Sequence, residues 1–500
     1  MSRLHRFFAA VLILLMASQT AAPQERPKPT MASLKSGAGK EPIVARLESV
    51  IPRLLEQGMV PGLSIALIQK GELAWHRGFG VKNSQTKESV AANTMFEAAS
   101  LSKPVFAYAV MKLVDAGKLS LDTPLNKYLP GNYDVGEDAR INQITARHVL
   151  SHTPGFPNWR RPGGPLTIHF TPGERFSYSG EGFVYLSKVV EHITGEKFND
   201  LMKKTVFDPL AMTDSSYIWQ EDQAAQNTFR HRANGEPSGQ NNSPQHNAAA
   251  SLRTTAQDYG RFLAAILNGK GLKKETAKLM LTPQIKVSAA GTNNLFGTPE
   301  KLSPTLSWGL GWGLQTTGDG VSFWHWGDNG DSKAYVVVYE KQKLGLAVFA
   351  NSANGLSIVP EIIQEAIGGE QPALAWLKYE IYNSPAKLLY RNIVAKGALE
   401  ALREYREWRK GRAATEVLNE TQMNRLGYDL VGARRLKDAI EVFKLNVEDY
   451  PHSANVYDSL GEAYLTDGNK ELAIKNYQRS VELDPKNTNG LEALKKLQEK

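Results

Sequence analysis

Not one cysteine occurs in the 500 residues. That excludes disulfides and a lipid-anchored cysteine, so stability after any export must rest on packing. Strong charge is missing too: a net charge of +8 is small for this length, and 42% hydrophobic with 22% charged residues is ordinary globular composition. No basic stripe interleaved with aromatics occurs, and no nucleic-acid motif, so nucleic acid is not an expected partner. Weak attraction to anionic cell-surface polymers stays open. Long apolar runs are absent apart from Phe7 to Ala17, which is too short to span a bilayer comfortably. With Arg3, His5 and Arg6 before it and small residues from Ser18 to Ala22 after it, residues 1–22 read as a secretory signal peptide. Pro23 disfavours a cut directly after Ala22. The expectation is an exported protein, periplasmic or extracellular, with no membrane span in the mature chain. Metal-site patterns are also lacking. His148 and His152 are four apart, but Thr153-Pro-Gly ends their element and no third ligand or His-Glu-x-x-His accompanies them. They are expected to make structural hydrogen bonds, and no metal or cofactor is expected.

What is present centres on Glu97-Ala-Ala-Ser100-Leu-Ser-Lys103-Pro-Val. It reads as a serine at the first turn of a helix, with a lysine three residues on and therefore on the same face. A serine hydroxyl needs a neighbouring base to become a nucleophile. Unpaired N–H groups at a helix start favour a developing anion. Pro104 suits a first turn, and apolar residues keep a helical period until Gly117. Ser-x-x-Lys also occurs at Ser84–Lys87 and Ser384–Lys387, but neither has the apolar helix behind it.

Five hundred residues exceed what one core organises. Residues 23–40, rich in Pro, Lys, Ser and Gly, read as a flexible spacer. Residues 41–370 read as an α+β domain. Helices are expected over Ile43–Gln57, Gly182–Thr194, Ala256–Asn268 and Lys273–Leu281. A hairpin is expected at Leu63–Ile68 and Glu72–Trp75 about Lys70-Gly71. An antiparallel meander is expected at Gly309–Leu314, Val321–Trp324, Ala334–Tyr339 and Leu344–Phe349. Residues 219–247 lack periodicity and read as a surface insertion, a candidate lid. A helical connector covers 371–415. Residues 420–500 carry the 34-residue tetratricopeptide period: Leu460, Gly461, Tyr464, Ala473, Tyr477 and Pro485 fall on its signature positions. Leu426, Gly427, Ala439, Phe443 and Pro451 do so one repeat earlier. This all-α scaffold is a candidate site for a protein partner.

Two further stretches follow Ser100-x-x-Lys103: Phe176-Ser-Tyr178-Ser-Gly180 before a helix, and Phe323-Trp-His325-Trp-Gly327 at a strand's end. Alone, Tyr178 would read as a structural tyrosine and His325 as a packed strand residue. In this order the three segments resemble the serine β-lactamase and penicillin-binding superfamily. Within it they are similar to the branch of class C β-lactamases, D-Ala-D-Ala carboxypeptidases, D-aminopeptidases and related esterases. The resemblance covers about residues 43–370 and includes Arg147–Gly155, Thr171–Tyr178, Asp208–Met212 and Leu252–Asp258. It implies the β-lactamase/transpeptidase-like antiparallel sheet flanked by helices. It implies an acyl-enzyme on Ser100, with Lys103 and Tyr178 moving its proton, and a small-molecule or peptide substrate. It also implies an oxyanion site made by the backbone N–H groups of Ser100 and Asp328.

Three departures from the family pattern stand out. Gly180 replaces an asparagine. His325 replaces a lysine, which makes a charge change near neutral pH an expectation. Trp326 replaces a small hydroxyl residue and is expected to crowd the pocket, while Gly327 is expected to leave room for substrate. These relaxed motifs point to an esterase or peptidase over a dedicated β-lactamase. The rival reading is a sensor that captures a ligand without turnover while the repeats report it. No Gly-x-Ser-x-Gly elbow occurs, which excludes the α/β-hydrolase fold.

Overall fold

The computed structural model describes residues 33–498 apart from Ser36 and Asn132. The signal-peptide reading of residues 1–22 lies outside the described residues.

An eight-stranded antiparallel sheet organises the first unit. Its strands are β1 (Gly62–Gln69), β2 (Glu72–Gly80), β3 (Ile285–Ser288), β4 (Leu302–Trp308), β5 (Gly313–Thr317), β6 (Gly320–Asp328), β7 (Lys333–Tyr339) and β8 (Leu344–Ala350). Across the sheet they run β2-β1-β8-β7-β6-β5-β4-β3. Each face is covered by helices. On β1, Leu63, Ile65 and Leu67 join a core with the Lys40–Gly58 and Val359–Ala366 helices. Ala66 and Ile68 point the other way, into a core around the Ser102–Asp115 helix. β7 divides likewise, with Val337 and Tyr339 on the first face and Val336 and Val338 on the second. A sheet buried on both faces needs apolar residues at consecutive positions, which is why β1, β7 and β8 are near-continuous apolar runs.

The meander differs from expectation at its far end. Gly309–Trp312 is a turn, with Gly311 at φ +86°, and β5 starts only at Gly313. A Cβ on Gly311 would sit 2.4 Å from Ala107 Cβ in the serine-bearing helix, so glycine lets turn and helix touch. β3 and β4 carry no strand signal. β4 contains Pro304, which lies where its pairing with β3 shifts register and before its pairing with β5 begins. Proline is tolerated there because no ladder N–H is required.

The 219–247 stretch is tied down. It forms a small hairpin of Arg230–His231 and Pro237–Gly239. His231 Nδ1 lies 2.8 Å from the Asn351 carbonyl, and Ser238 Oγ donates to Asp331 at 2.6 Å.

After residue 371 the chain is helical. The same contacts recur 34 residues apart. A Cβ on Gly427 would meet the Phe443 ring at 2.3 Å, and one on Gly461 would meet the Tyr477 ring at 3.1 Å. Asn446 Nδ2 donates to Glu420 O, and Ser480 Oγ donates to Ala454 O. These helical hairpins repeat in geometry as well as in sequence. The Pro385–Lys396 helix before them docks on the sheet unit through Arg391 to Gln57 O (3.0 Å) and Lys387 to Asn354 (3.1 Å), and the repeats do so through Asn234 to Ala433 O (3.2 Å). No described helix is long and apolar enough to cross a membrane.

Candidate active site

Ser100 lies in a 3-10 turn, Ala99–Leu101, that leads directly into the Ser102–Asp115 helix. Ala99 before it has φ +49°, a left-handed conformation that costs about 1–3 kcal/mol in a non-glycine residue. This strained turn sits against the end of β6. A Cβ on Gly327 would lie 2.4 Å from the Ala98 carbonyl oxygen. Glycine at 327 is therefore required by the serine's own turn. Asn329, two residues on, ties the same parts together by donating to Glu97 Oε2 and to Ala250 O, both at 3.1 Å.

Lys103 is fully buried. Its Nζ is 3.0 Å from Ser100 Oγ and donates to the Ala249 carbonyl at 2.9 Å. The Tyr178 ring centre is 4.6 Å from it. No carboxylate forms an ion pair with Lys103 among the described residues, and burial pushes its pKa well below the ordinary lysine value. An amine whose charged form burial disfavours, set beside an alcohol, is a base in position.

Tyr178 precedes the Gly180–Thr194 helix, whose N-cap Ser179 accepts from Gly182 N at 3.0 Å. Burial drives the phenol far above its ordinary range, with the Ser100 hydroxyl pulling the other way. Tyr178 Oη has no hydrogen-bond partner among the described residues.

His325 is also fully buried, on the β6 face that carries Gly327. Its Nδ1 is 2.8 Å from the Trp326 carbonyl, and Nε2 has no partner among the described residues. Burial is the main cause that pushes its pKa down to about 3, and whatever positive charge Lys103 carries acts in the same direction. The imidazole therefore stays neutral through the physiological range, and the charge change expected near pH 7 does not arise. The Trp326 ring stacks on the His325 ring at 5.3 Å and lies 4.7 Å from that of Tyr178 and 6.0 Å from Trp324, in an aromatic cluster that supports the tyrosine. Asp328 ends β6, where its carboxylate accepts from Gly330 N at 2.8 Å and pairs with Lys333.

The structure thus brings Ser100, Lys103, Tyr178, His325, Gly180, Trp326, Gly327 and Asp328 into one region. It adds contacts that sequence reasoning did not place. His152, with φ +56°, stacks on Tyr178 at 4.2 Å and 28° and accepts from Ser179 N at 3.0 Å. Trp159 is 46% exposed and stands over Gly180, with its ring centre 5.9 Å from Lys103 Nζ. Arg160 pins that loop to Glu181 at 2.9 Å. Only the isolated tryptophan in a Pro- and Gly-rich stretch could have flagged it. His148 closes a capping box with Thr145, as a structural hydrogen bonder does. No cluster of three or more potential His, Asp or Glu metal ligands occurs among the described residues.

Residues 47–364 match the family model described as Beta-lactamase. Protein flp of Staphylococcus aureus (strain MRSA252) is 21% identical over 340 residues, covering 64% of each chain. Esterase EstB of Burkholderia gladioli is 27% identical over 218 residues, 38% of this chain and 54% of the esterase. The chain thus spans 64% of protein flp and 54% of the esterase. Two solved structures share the fold. One is the octameric penicillin-binding protein homologue from Pyrococcus abyssi (TM-score 0.54, 23% identity, 70% of this chain and 80% of that one). The other is the D-alanine carboxypeptidase AmpC from Burkholderia cenocepacia (TM-score 0.54, 19% identity, 65% and 99%).

Proposed function

The chain belongs to the β-lactamase family, and we propose that it is a serine hydrolase that cleaves ester or amide bonds through an acyl-enzyme on Ser100. The observation that carries this reading is the buried Lys103 amine, 3.0 Å from Ser100 Oγ and without an ion-pair partner among the described residues.

In the proposed cycle Lys103 takes the hydroxyl proton as Oγ bonds to the substrate carbonyl carbon. The resulting oxyanion accepts from the Ser100 and Asp328 backbone N–H groups. Tyr178, held protonated by burial, passes a proton to the leaving group and recovers one from Lys103. Water then releases the acyl group by the reverse sequence. Lys103 as base and Tyr178 as donor is the assignment that their opposite pKa displacements favour.

Gly180 offers no side-chain amide to a substrate, which favours esters or D-amino-acid peptides over β-lactams. The relative named as an esterase agrees with that order. The 34-residue helical repeats act in this reading as a tetratricopeptide scaffold for a protein partner, and export places the enzyme in the periplasm or outside the cell. A turnover screen with p-nitrophenyl esters, a chromogenic cephalosporin and D-amino-acid peptides tests the proposal. Multiple turnovers that vanish in Ser100→Ala support it. One equivalent of label with no further turnover would favour the capture reading instead.

A further inference from the structure

Both oxygens of the Asp328 carboxylate are held, and from different parts of the chain. Oδ1 accepts from Gly330 N and pairs with Lys333, both local to the β6–β7 turn. Oδ2 accepts from the Tyr379 hydroxyl at 2.5 Å. Tyr379 lies beyond residue 364, where the family match stops. Its stretch is pinned on both sides. Before it, Trp376 Nε1 donates to Ser288 O at 2.7 Å, and the Trp376 ring meets Trp326 at 6.4 Å and 90°. After it, Tyr382 N donates to Ser357 O at 3.1 Å, and Tyr382 Oη donates to Glu361 at 2.5 Å. Lys378, at φ +58°, makes the turn between them.

We propose that Tyr379 is a positioning residue for the oxyanion site: it fixes Asp328, whose backbone N–H is the second oxyanion donor. The stretch 371–384 is then part of the active site, and the catalytic unit is complete only with it. This rests on the Ser100 reading above. The physical need is clear at this position. The β6–β7 ladder ends at Asp328 opposite Lys333, and beyond it only the turn contact from Asn329 N to Ser332 O (3.0 Å) continues the backbone pairing. An oxyanion donor works only when held about 2.7–3.1 Å from where the oxygen develops. Anchoring the side chain at both oxygens orients that peptide. Burial, then the Asp328 charge, pushes the Tyr379 phenol up, so it stays a donor. Burial raises the Asp328 carboxyl, but the Lys333 charge and the hydrogen bonds from Lys333, Tyr379 and Gly330 outweigh it and keep it ionised.

The test uses the full chain with a p-nitrophenyl ester and phenylboronic acid, which adds to Ser100 as a tetrahedral anion. Tyr379→Phe keeps the ring and removes only the hydroxyl. It should lower kcat/KM and boronate affinity by the same factor, about 10-fold, a fraction of the loss from deleting an oxyanion donor. In an Asp328→Asn background the same change should add almost nothing, since both act through one contact. Wild-type boronate affinity in Tyr379→Phe, or an undiminished effect in the Asp328→Asn background, overturns the proposal. Should Tyr379→Phe fail to fold, Asp328→Asn alone is read by the same titration, and wild-type affinity there overturns it. Boronate uptake by Ser100→Ala equal to wild type would instead overturn the Ser100 reading itself.

Discussion

The indole of Trp159 stands where a side chain at residue 180 would stand. A Cβ on Gly180 would lie 2.8 Å from Trp159 Cη2 and 2.7 Å from the Asn158 carbonyl oxygen. The missing asparagine and the exposed tryptophan are one feature. Gly180→Asn should therefore lower stability by about 1–3 kcal/mol through overpacking. Trp159→Ala should recover the part of that loss owed to the indole in the double variant, while the part owed to the Asn158 carbonyl stays. Thermal melts of the four proteins check this, and additive effects would mean that the two sites do not share space.

Gly327→Ala places a methyl group against the Ala98 carbonyl. It should part the serine turn from β6 and cut kcat/KM by about 100-fold or more, because both proposed oxyanion donors shift. Helix content by circular dichroism should stay unchanged. Ester kinetics on the folded variant check it.

Lys103 is held where its charged form is disfavoured, so the unfolded chain binds a proton that the folded chain resists. Below the ordinary lysine pKa of 10.5 this costs stability, and the cost shrinks as pH rises toward that value. Lys103→Met should be inactive yet melt above wild type at pH 7, with the gap narrowing toward pH 10. A wild-type protein that melts higher at pH 7 would contradict the account of an ammonium disfavoured by burial.

The pH profile of kcat/KM should rise along one limb, placed well below 10.5 and set by Lys103. His325 titrates near 3 and should add no bend between about pH 5.5 and 7.5. His325→Gln should leave the limb in place. A limb that disappears in that variant belongs to His325 instead.

Much of this was legible because it is local or periodic. Ser100 and Lys103 are one helical turn apart, so their spacing, with the apolar helix behind it, places amine beside alcohol. β1, β7 and β8 announce themselves as runs buried on both faces, and the repeats through glycine–aromatic pairs 34 residues apart. β3 and β4 escaped because Pro304 and a register shift break their period. His152 under Tyr178, Trp159 over Gly180 and Tyr379 on Asp328 escaped for another reason. Each joins segments through a contact that imposes no pattern on its neighbours. Burial reversed the reading of His325, since a sequence shows the imidazole but not the solvent it has lost.

The most direct test of the central claim is to quench wild-type protein and Ser100→Ala during turnover of a slow ester, digest both, and locate the acyl group by mass. The adduct is predicted on the peptide containing Ser100 in wild type and nowhere in the variant. An adduct on another residue, or equal acylation of Ser100→Ala, would contradict it.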